Sequence, residues 1–442
     1  MAGASGFVGR ALVSALTGAG HDVVALARRT PQLPGAEGRA VDVADTDSVR
    51  EALTGCDAAY YLVHSLTATD FRGRDLHLAQ SFGRASGTAG LQRIVYLGGL
   101  GDDPSSEHLA SRQEVGVALA AAGVPVVELR AAVVLGAGSI SFEMLRYLTE
   151  RLPFMVCPRW VRTAIQPIAA ADVIRYLVGA LVVEPGTYEI GGTDVTTYRD
   201  MIAAYAGARG LRRRRIVDVP YVTPRLSAYW LDLVTPVDRR VSHALIESLV
   251  TEVVVRDPAR TDRAFGIRPV GMADALVAAL KDQAGMLDRD VLAGESGLRD
   301  GVYTMRVAVP LPAGAAAAVD ADLDRIGGSY GWYGVPLAWR VRAALGRLAG
   351  EQWRLGRTGE VRQGTEVDWW VVARRAPNLL VLRTDRWVFG EAWLGYHVDD
   401  GELVTVGALR AKGIPGFAYW TLLQPVHRLV FRALARHRTQ NW

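Results

Sequence analysis

Seven residues at the amino end of the chain, Gly3-Ala4-Ser5-Gly6-Phe7-Val8-Gly9, have the composition and spacing of a loop that cradles phosphate. In such a loop the first glycine makes the tight turn off a strand, the second lets a pyrophosphate approach the backbone, and the third lets the next helix pack closely on the sheet. The amino end of that helix faces the phosphate charge. Val8, Leu12, Val13 and Leu16 recur at helical spacing until Gly18 and Gly20, which predicts the helix. Only Met1 and Ala2 precede the loop, where a dinucleotide-binding sheet places its central strand. The expectation is a true reading frame that starts a few residues upstream.

The elements that must position this loop follow in order. Residues 21–27 read as a strand that delivers Arg28 and Arg29 to the place of an adenosine ribose. A carboxylate there would bind the ribose hydroxyls and repel a ribose phosphate, whereas arginines do the reverse, so NADPH is expected over NADH. Residues 40–43 read as a short strand whose Asp42 and Val43 lie beside the adenine, and residues 58–63 as a buried strand passing through Leu62 and Val63 to His64. Residues 91–99 make another, with Tyr96 and Gly98 as further candidates for cofactor contact, and residues 124–130 the next. Strand and helix alternate throughout, which predicts a doubly wound parallel sheet covered on both faces.

With 442 residues, half of them apolar, the chain is long enough for two or three domains and a substantial core. The formal net charge of +4 is small for this length and nearly all basic residues are arginines, Lys281 and Lys412 being the two lysines, so nucleic acid is not an expected partner. The basic run Arg212-Arg213-Arg214-Arg215 reads as a solvated helix end or loop. Cys56 and Cys157 supply neither a disulfide framework nor a metal set, and a cytoplasmic setting fits them. No run approaches the roughly 18 apolar residues of a spanning helix. Residues 1–290 are expected as the nucleotide domain, with a core over 1–191 and a substrate-side segment over 192–290. Residues 291–300 read as a linker. Residues 301–442 are richer in tryptophan, with period-two runs at 365–372 and 379–385 and a long helix over 421–437, which predicts an α+β domain.

The first part resembles an atypical short-chain dehydrogenase/reductase of the extended, epimerase-like kind, with a Rossmann-like sheet. The matching residues are the glycine loop, Tyr60-Tyr61-Leu62-Val63-His64-Ser65, Tyr96-Leu97-Gly98-Gly99-Leu100-Gly101, residues 108–116, Glu128-Leu129-Arg130-Ala131 and residues 141–147. The second part resembles the uncharacterised domain that often follows such a module in bacteria, related to START-like (SRPBCC) helix-grip proteins. Its marks are Ile326-Gly327-Gly328-Ser329-Tyr330-Gly331-Trp332-Tyr333, Asp368-Trp369-Trp370 and residues 417–427.

The departures from the first resemblance bear on chemistry. Dehydrogenases of this superfamily use a Tyr-x-x-x-Lys pair beside a serine, and neither lysine here follows a tyrosine at that spacing. At the aligned place stand His108 and Arg112, while Gly98 and Gly99 replace the hydroxyl residues. Titration in the neutral range would let His108 act as general acid or base, and Arg112 would bind ribose or phosphate without relaying a proton. A histidine at a helix start beside Glu107 is alternatively surface or capping structure. His64 is a second candidate because it closes a strand at the sheet's carboxyl edge, where ligands bind.

Two function classes follow. One is an NADPH-dependent oxidoreductase acting on a hydrophobic small molecule such as a quinone, enone or lipid-like carbonyl. The other is a sensor that holds NADP(H) without turning it over. A helix gripped by a curved sheet would enclose an apolar cavity, with Trp332, Tyr333, Trp369, Trp370, Trp393 and Trp420 as expected lining. Tyr419, Trp420, His427 and Arg428 give the last helix an amphipathic look, compatible with weak contact at a membrane surface.

Overall fold

The structure, a computed structural model, describes residues 1–66, 68, 70–101, 106–219, 251–293, 296–299, 302–328, 344, 359–387, 389–411 and 413–440. They form two compact units, Met1–Asp282 and Gln283–Trp442.

In the first unit, strands β1 (Val23–Ala27) and β2 (Ala36–Ala40) pair in parallel. Strands β3 (Ala58–Tyr61), β4 (Arg93–Gly99), β5 (Val126–Ala131) and Gly186–Ile190 form a second parallel set in that spatial order. Ala2 joins the two sets, bridging Leu26 on one side and Tyr61 on the other. Its amide donates to Tyr60 O at 2.9 Å, and Leu62 N donates to Ala2 O at 3.1 Å. The place expected for a central strand is thus held by Met1 and Ala2, both buried.

Alternation along the strands sends neighbouring side chains to opposite faces. Tyr60, Val95 and Leu129 pack with Leu12, Val13 and Leu16 of helix α1 (Phe7–Gly18), whereas Tyr61, Ile94 and Tyr96 pack with helices α2 (Thr46–Leu53), α3 (Phe71–Thr88) and α4 (Glu107–Ala120). The strand expected over residues 40–43 lies earlier, because the Asp42 carboxylate accepts from Ala44 N at 3.0 Å and turns the chain there. Further along, Val253 forms an isolated parallel bridge to Ile165.

The second unit is a seven-stranded antiparallel sheet, ordered Gly297–Arg299, Val302–Pro310, Glu402–Ala411, Gly390–Asp399, Leu379–Trp387, Trp370–Ala376 and Glu366–Val367. The run expected as one strand over 365–372 is split by Asp368, whose φ of 55° breaks the pleat. The long helix Gly413–Gln440 packs on one face, so closely that a Cβ on Gly407 would lie 2.2 Å from the Phe431 ring. Trp369, Trp370 and Trp420 are buried on that face with Leu394, Tyr396 and Phe431.

Trp393 is different. It lies on the opposite face with Val381, Val404, Val406 and Leu292, and its indole N–H donates to Asp288 Oδ1 at 2.7 Å. A single cavity lined by all the expected aromatics is therefore corrected by the period of two, which turns Trp393 away from Leu394. Trp332 and Tyr333 lie outside the described residues. The expected linker also has structure of its own: Val291–Ala293 is a helical turn, and Gly297–Arg299 is an edge strand of the sheet.

Candidate functional site

Backbone geometry sets the glycine loop. Gly3 has φ of 84°, and a Cβ there would lie 2.8 Å from Leu62 O, at the exit of β3. A Cβ on Gly9 would lie 2.3 Å from Gly3 O, so the first turn of α1 packs directly on the loop. Gly6 is the open one of the three, with Gly3 O its one close neighbour. It also stands at the start of α1, where no side chain caps the helix. Asp45, Asp70 and Ser106 do cap α2, α3 and α4. Uncapped N–H groups at a helix start, aimed along the dipole, suit an anion, and the residues present fit the pyrophosphate of a dinucleotide. Ala4 is buried, while Ser5 is exposed at the turn and its carbonyl accepts from Arg10 Nη1 at 2.7 Å. Phe7 and Val8 begin the helix, the Phe7 ring lying against Gly136.

Arg28 and Arg29 follow β1 on the exposed surface, and Asp42 and Val43 follow β2. Leu62 continues β3 beside Gly3, and Val63 follows it. Tyr96 and Gly98 are placed otherwise than expected. The Tyr96 ring is fully buried on the α3 and α4 side, its hydroxyl donating to Arg112 O at 2.8 Å. A Cβ on Gly98 would lie 3.0 Å from Glu128 Oε1, so this glycine makes room for a buried carboxylate rather than facing the loop.

The three expected catalytic residues come together at the carboxyl ends of β3 and β4. Arg112, on α4, donates to Val63 O at 3.4 Å and to Leu97 O, joining the chain beyond β3 to β4. Its guanidinium stands 5.0 Å from the Tyr96 ring centre and is 8 % exposed. Arg112 is thus a brace and a fixed positive charge, committed to backbone carbonyls. His108 sits one turn earlier on α4. Burial, then the charge of Arg112 and the neighbouring His64, push its pKa down to about 3. His64 keeps exposed surface, yet desolvation followed by the Arg112 charge pushes it down to about 4; the direction agrees for both rings. The expectation of neutral-range titration is corrected accordingly: both imidazoles are neutral near pH 7, each with one donor and one acceptor nitrogen.

Beneath them lies a polar group that sequence reasoning missed. Asp75 on α3 is 1 % exposed, burial raises its pKa, and Ser65 hydrogen-bonds to it through both hydroxyl and amide. Tyr61 Oη, Asp75 Oδ1, Ser111 Oγ and His108 Nδ1 are all buried without a hydrogen-bond partner among the described residues. One signal was available for Asp75, which precedes Leu78, Ala79 and Phe82 by three, four and seven residues and so shares their buried face.

The histidine states can be checked directly. Between about pH 8 and about pH 5, the imidazole proton shifts of His64 and His108 should stay constant, and a midpoint near 6.5 for either would contradict the site described. The sign for stability follows: because the folded state binds these protons less readily, stability is full above the unfolded pKa of about 6.5 and falls as pH drops below it.

Residues 3–130 match the family described as NAD(P)H-binding, and residues 297–434 match a family described as protein of unknown function, DUF2867. The chain thus carries an amino-terminal region that matches an NAD(P)H-binding family and a carboxyl-terminal region that matches DUF2867. An uncharacterized protein of Mycobacterium bovis is 28 % identical over 211 residues, 46 % of this chain and 22 % of the relative. The match therefore spans about a fifth of the curated relative's length. A nucleoside-diphosphate-sugar epimerase from Staphylococcus aureus superposes with a TM-score of 0.51 at 15 % identity, over 62 % of this chain and 98 % of the other. The Bordetella bronchiseptica enzyme WbmG, solved with NAD and UDP, gives 0.50 at 15 % identity over 63 % and 92 %. These likenesses are of fold. Among the described residues, no helix is long and apolar enough to cross a membrane, and no group of three or more His, Cys, Asp or Glu could hold a metal ion.

Proposed function

We propose that the chain is an NADPH-dependent oxidoreductase acting on a hydrophobic small molecule, a quinone, enone or lipid-like carbonyl. The observation that carries this reading is the convergence of His108, His64 and Arg112 at the sheet's carboxyl edge, with Leu62 linking that edge to the glycine loop. The loop and the uncapped start of α1 would hold the pyrophosphate, and Arg28 and Arg29 the ribose phosphate. When bound, the cofactor supplies hydride. His108, neutral and with a buried Nδ1 that has no partner among the described residues, offers a hydrogen bond to a substrate oxygen, and the proton that completes the reduction comes from water. Arg112 holds the ends of β3 and β4 in register around that oxygen. The second unit, with its long helix across an antiparallel sheet, is proposed as the START-like ligand-binding part.

One observation favours the sensor reading instead: neither histidine is an imidazolium at neutral pH. NADPH oxidation across a panel of quinones, enones and aldehydes separates the two. Turnover of any of them supports the enzyme. Cofactor binding without turnover, coupled to ligand affinity in the second unit, supports the sensor.

Cofactor choice is a separate test. Alanine at both Arg28 and Arg29 should weaken NADPH by about 1.5–3 kcal/mol while barely changing NADH, since a charge-assisted contact to the ribose phosphate is removed. Equal wild-type affinities for the two cofactors, read by fluorescence titration, would end the assignment.

A further inference from the structure

Helix Gly413–Gln440 is packed on one side and open on the other. Trp420, Val430, Phe431, Leu434 and Ala435 are buried, while Leu422 is 75 %, Val426 49 % and Leu429 71 % exposed. At about 100° per residue, these three open side chains fall within roughly 60° of one another, on the side opposite Phe431. They form a continuous row about 10 Å long, since each residue rises about 1.5 Å. Tyr419, Trp420 and His427, the residues that make the helix look amphipathic in sequence, do not form this face. Trp420 is buried, and the Tyr419 hydroxyl meets His427 Nε2 at 3.0 Å, with the His427 ring stacked towards Phe431.

Charge distinguishes the possible occupants. Between positions 413 and 440 the sequence has no Asp or Glu, and it carries Arg428, Arg432, Arg436 and Arg438. Arg428 and Arg432 are exposed and lie on one flank of the apolar row. A second copy docking through the same face would bring arginine against arginine with no carboxylate on either helix. An acidic helix from another protein would need its carboxylates in register along that single flank. A lipid surface needs no register, because it presents phosphate wherever the arginines fall.

We propose that this outward face docks on an anionic lipid surface, with Leu422, Val426 and Leu429 entering the acyl boundary and Arg428 and Arg432 meeting lipid phosphates. The helix lies along the surface, its other side remaining on the domain's own sheet. The proposal is independent of the reading of the nucleotide site.

The test is co-sedimentation of the full chain with vesicles of phosphatidylcholine alone, or with about 30 mol % phosphatidylglycerol added. Binding is expected to the anionic vesicles only, and it should weaken at about 0.5 M salt as the charges are screened. Two double variants, Leu422→Ser with Leu429→Ser and Arg428→Ala with Arg432→Ala, should each bind at least about tenfold more weakly. All four positions are exposed, so the circular dichroism and melting of both variants should match wild type. A wild-type chain that stays in the supernatant with anionic vesicles overturns the proposal, as does undiminished binding of the leucine variant. So does a dimer in light scattering that the leucine variant abolishes in the absence of vesicle binding, which would assign the face to a second copy.

Discussion

Replacing Glu391 with leucine should lower the stability of the second unit by about 3–5 kcal/mol. Arg410 Nη2 donates to Glu391 Oε2, and Arg410 Nη1 donates to Gln283 Oε1 at 2.6 Å, with Arg410 3 % and Glu391 4 % exposed. Removing the carboxylate leaves a guanidinium in the interior without its counter-charge, close to the Trp393 ring. The cost is that of an uncompensated buried cation, and it exceeds the worth of the pair itself. Adding Arg410→Met to the same chain should therefore recover most of the loss. Nine of the eleven tryptophans lie beyond residue 300, so urea unfolding followed by tryptophan fluorescence reads this unit preferentially. A single variant that unfolds within about 1 kcal/mol of wild type would show that the pair is solvated in solution.

The second large effect is expected in turnover. His108→Phe should leave NADPH affinity nearly intact and lower turnover roughly 100-fold or more, because phenylalanine keeps the ring's volume and removes its hydrogen-bonding nitrogens. Arg112→Ala should behave differently. Its guanidinium ties Val63 O to Leu97 O, and its loss frees the chain beyond β3, which also packs on Gly3. Weaker cofactor binding is the expected result for that variant. Measuring KM and kcat separately for the two keeps the brace distinct from the donor. Turnover unchanged in His108→Phe would remove this histidine and its hydrogen bond from the chemistry.

Much of the first unit was legible in sequence because its signals are local. A glycine that must adopt a positive φ, as Gly3 does, and a glycine that must admit a helix, as Gly9 does, leave their mark at fixed spacing. The apolar runs around Tyr60 and Val95 mark strands buried on both faces. His64 was placed in sequence just past β3, and His108 and Arg112 on α4, the helix that follows β4. Less legible was what each would do there. Arg112 could be read as a cofactor ligand until its two carbonyl partners were seen, and both histidines could be read as neutral-range acids until the desolvation and the Arg112 charge acting on them were known.

By itself, the sequence determined the phosphate loop, the alternation of strand and helix, the change to an antiparallel domain and the chemical types gathered at the site. Each depends on a residue's own backbone preferences or on its neighbours within a few positions. Tertiary structure alone decided that Tyr96 turns into the core, that Trp393 faces Asp288 rather than the helix side, and that Asp75 is enclosed beside Ser65. It also decided the protonation of the histidines and which side of Gly413–Gln440 remains open. These outcomes depend on what distant segments bring within a few ångströms, and desolvation and charge act through that distance rather than through separation along the chain.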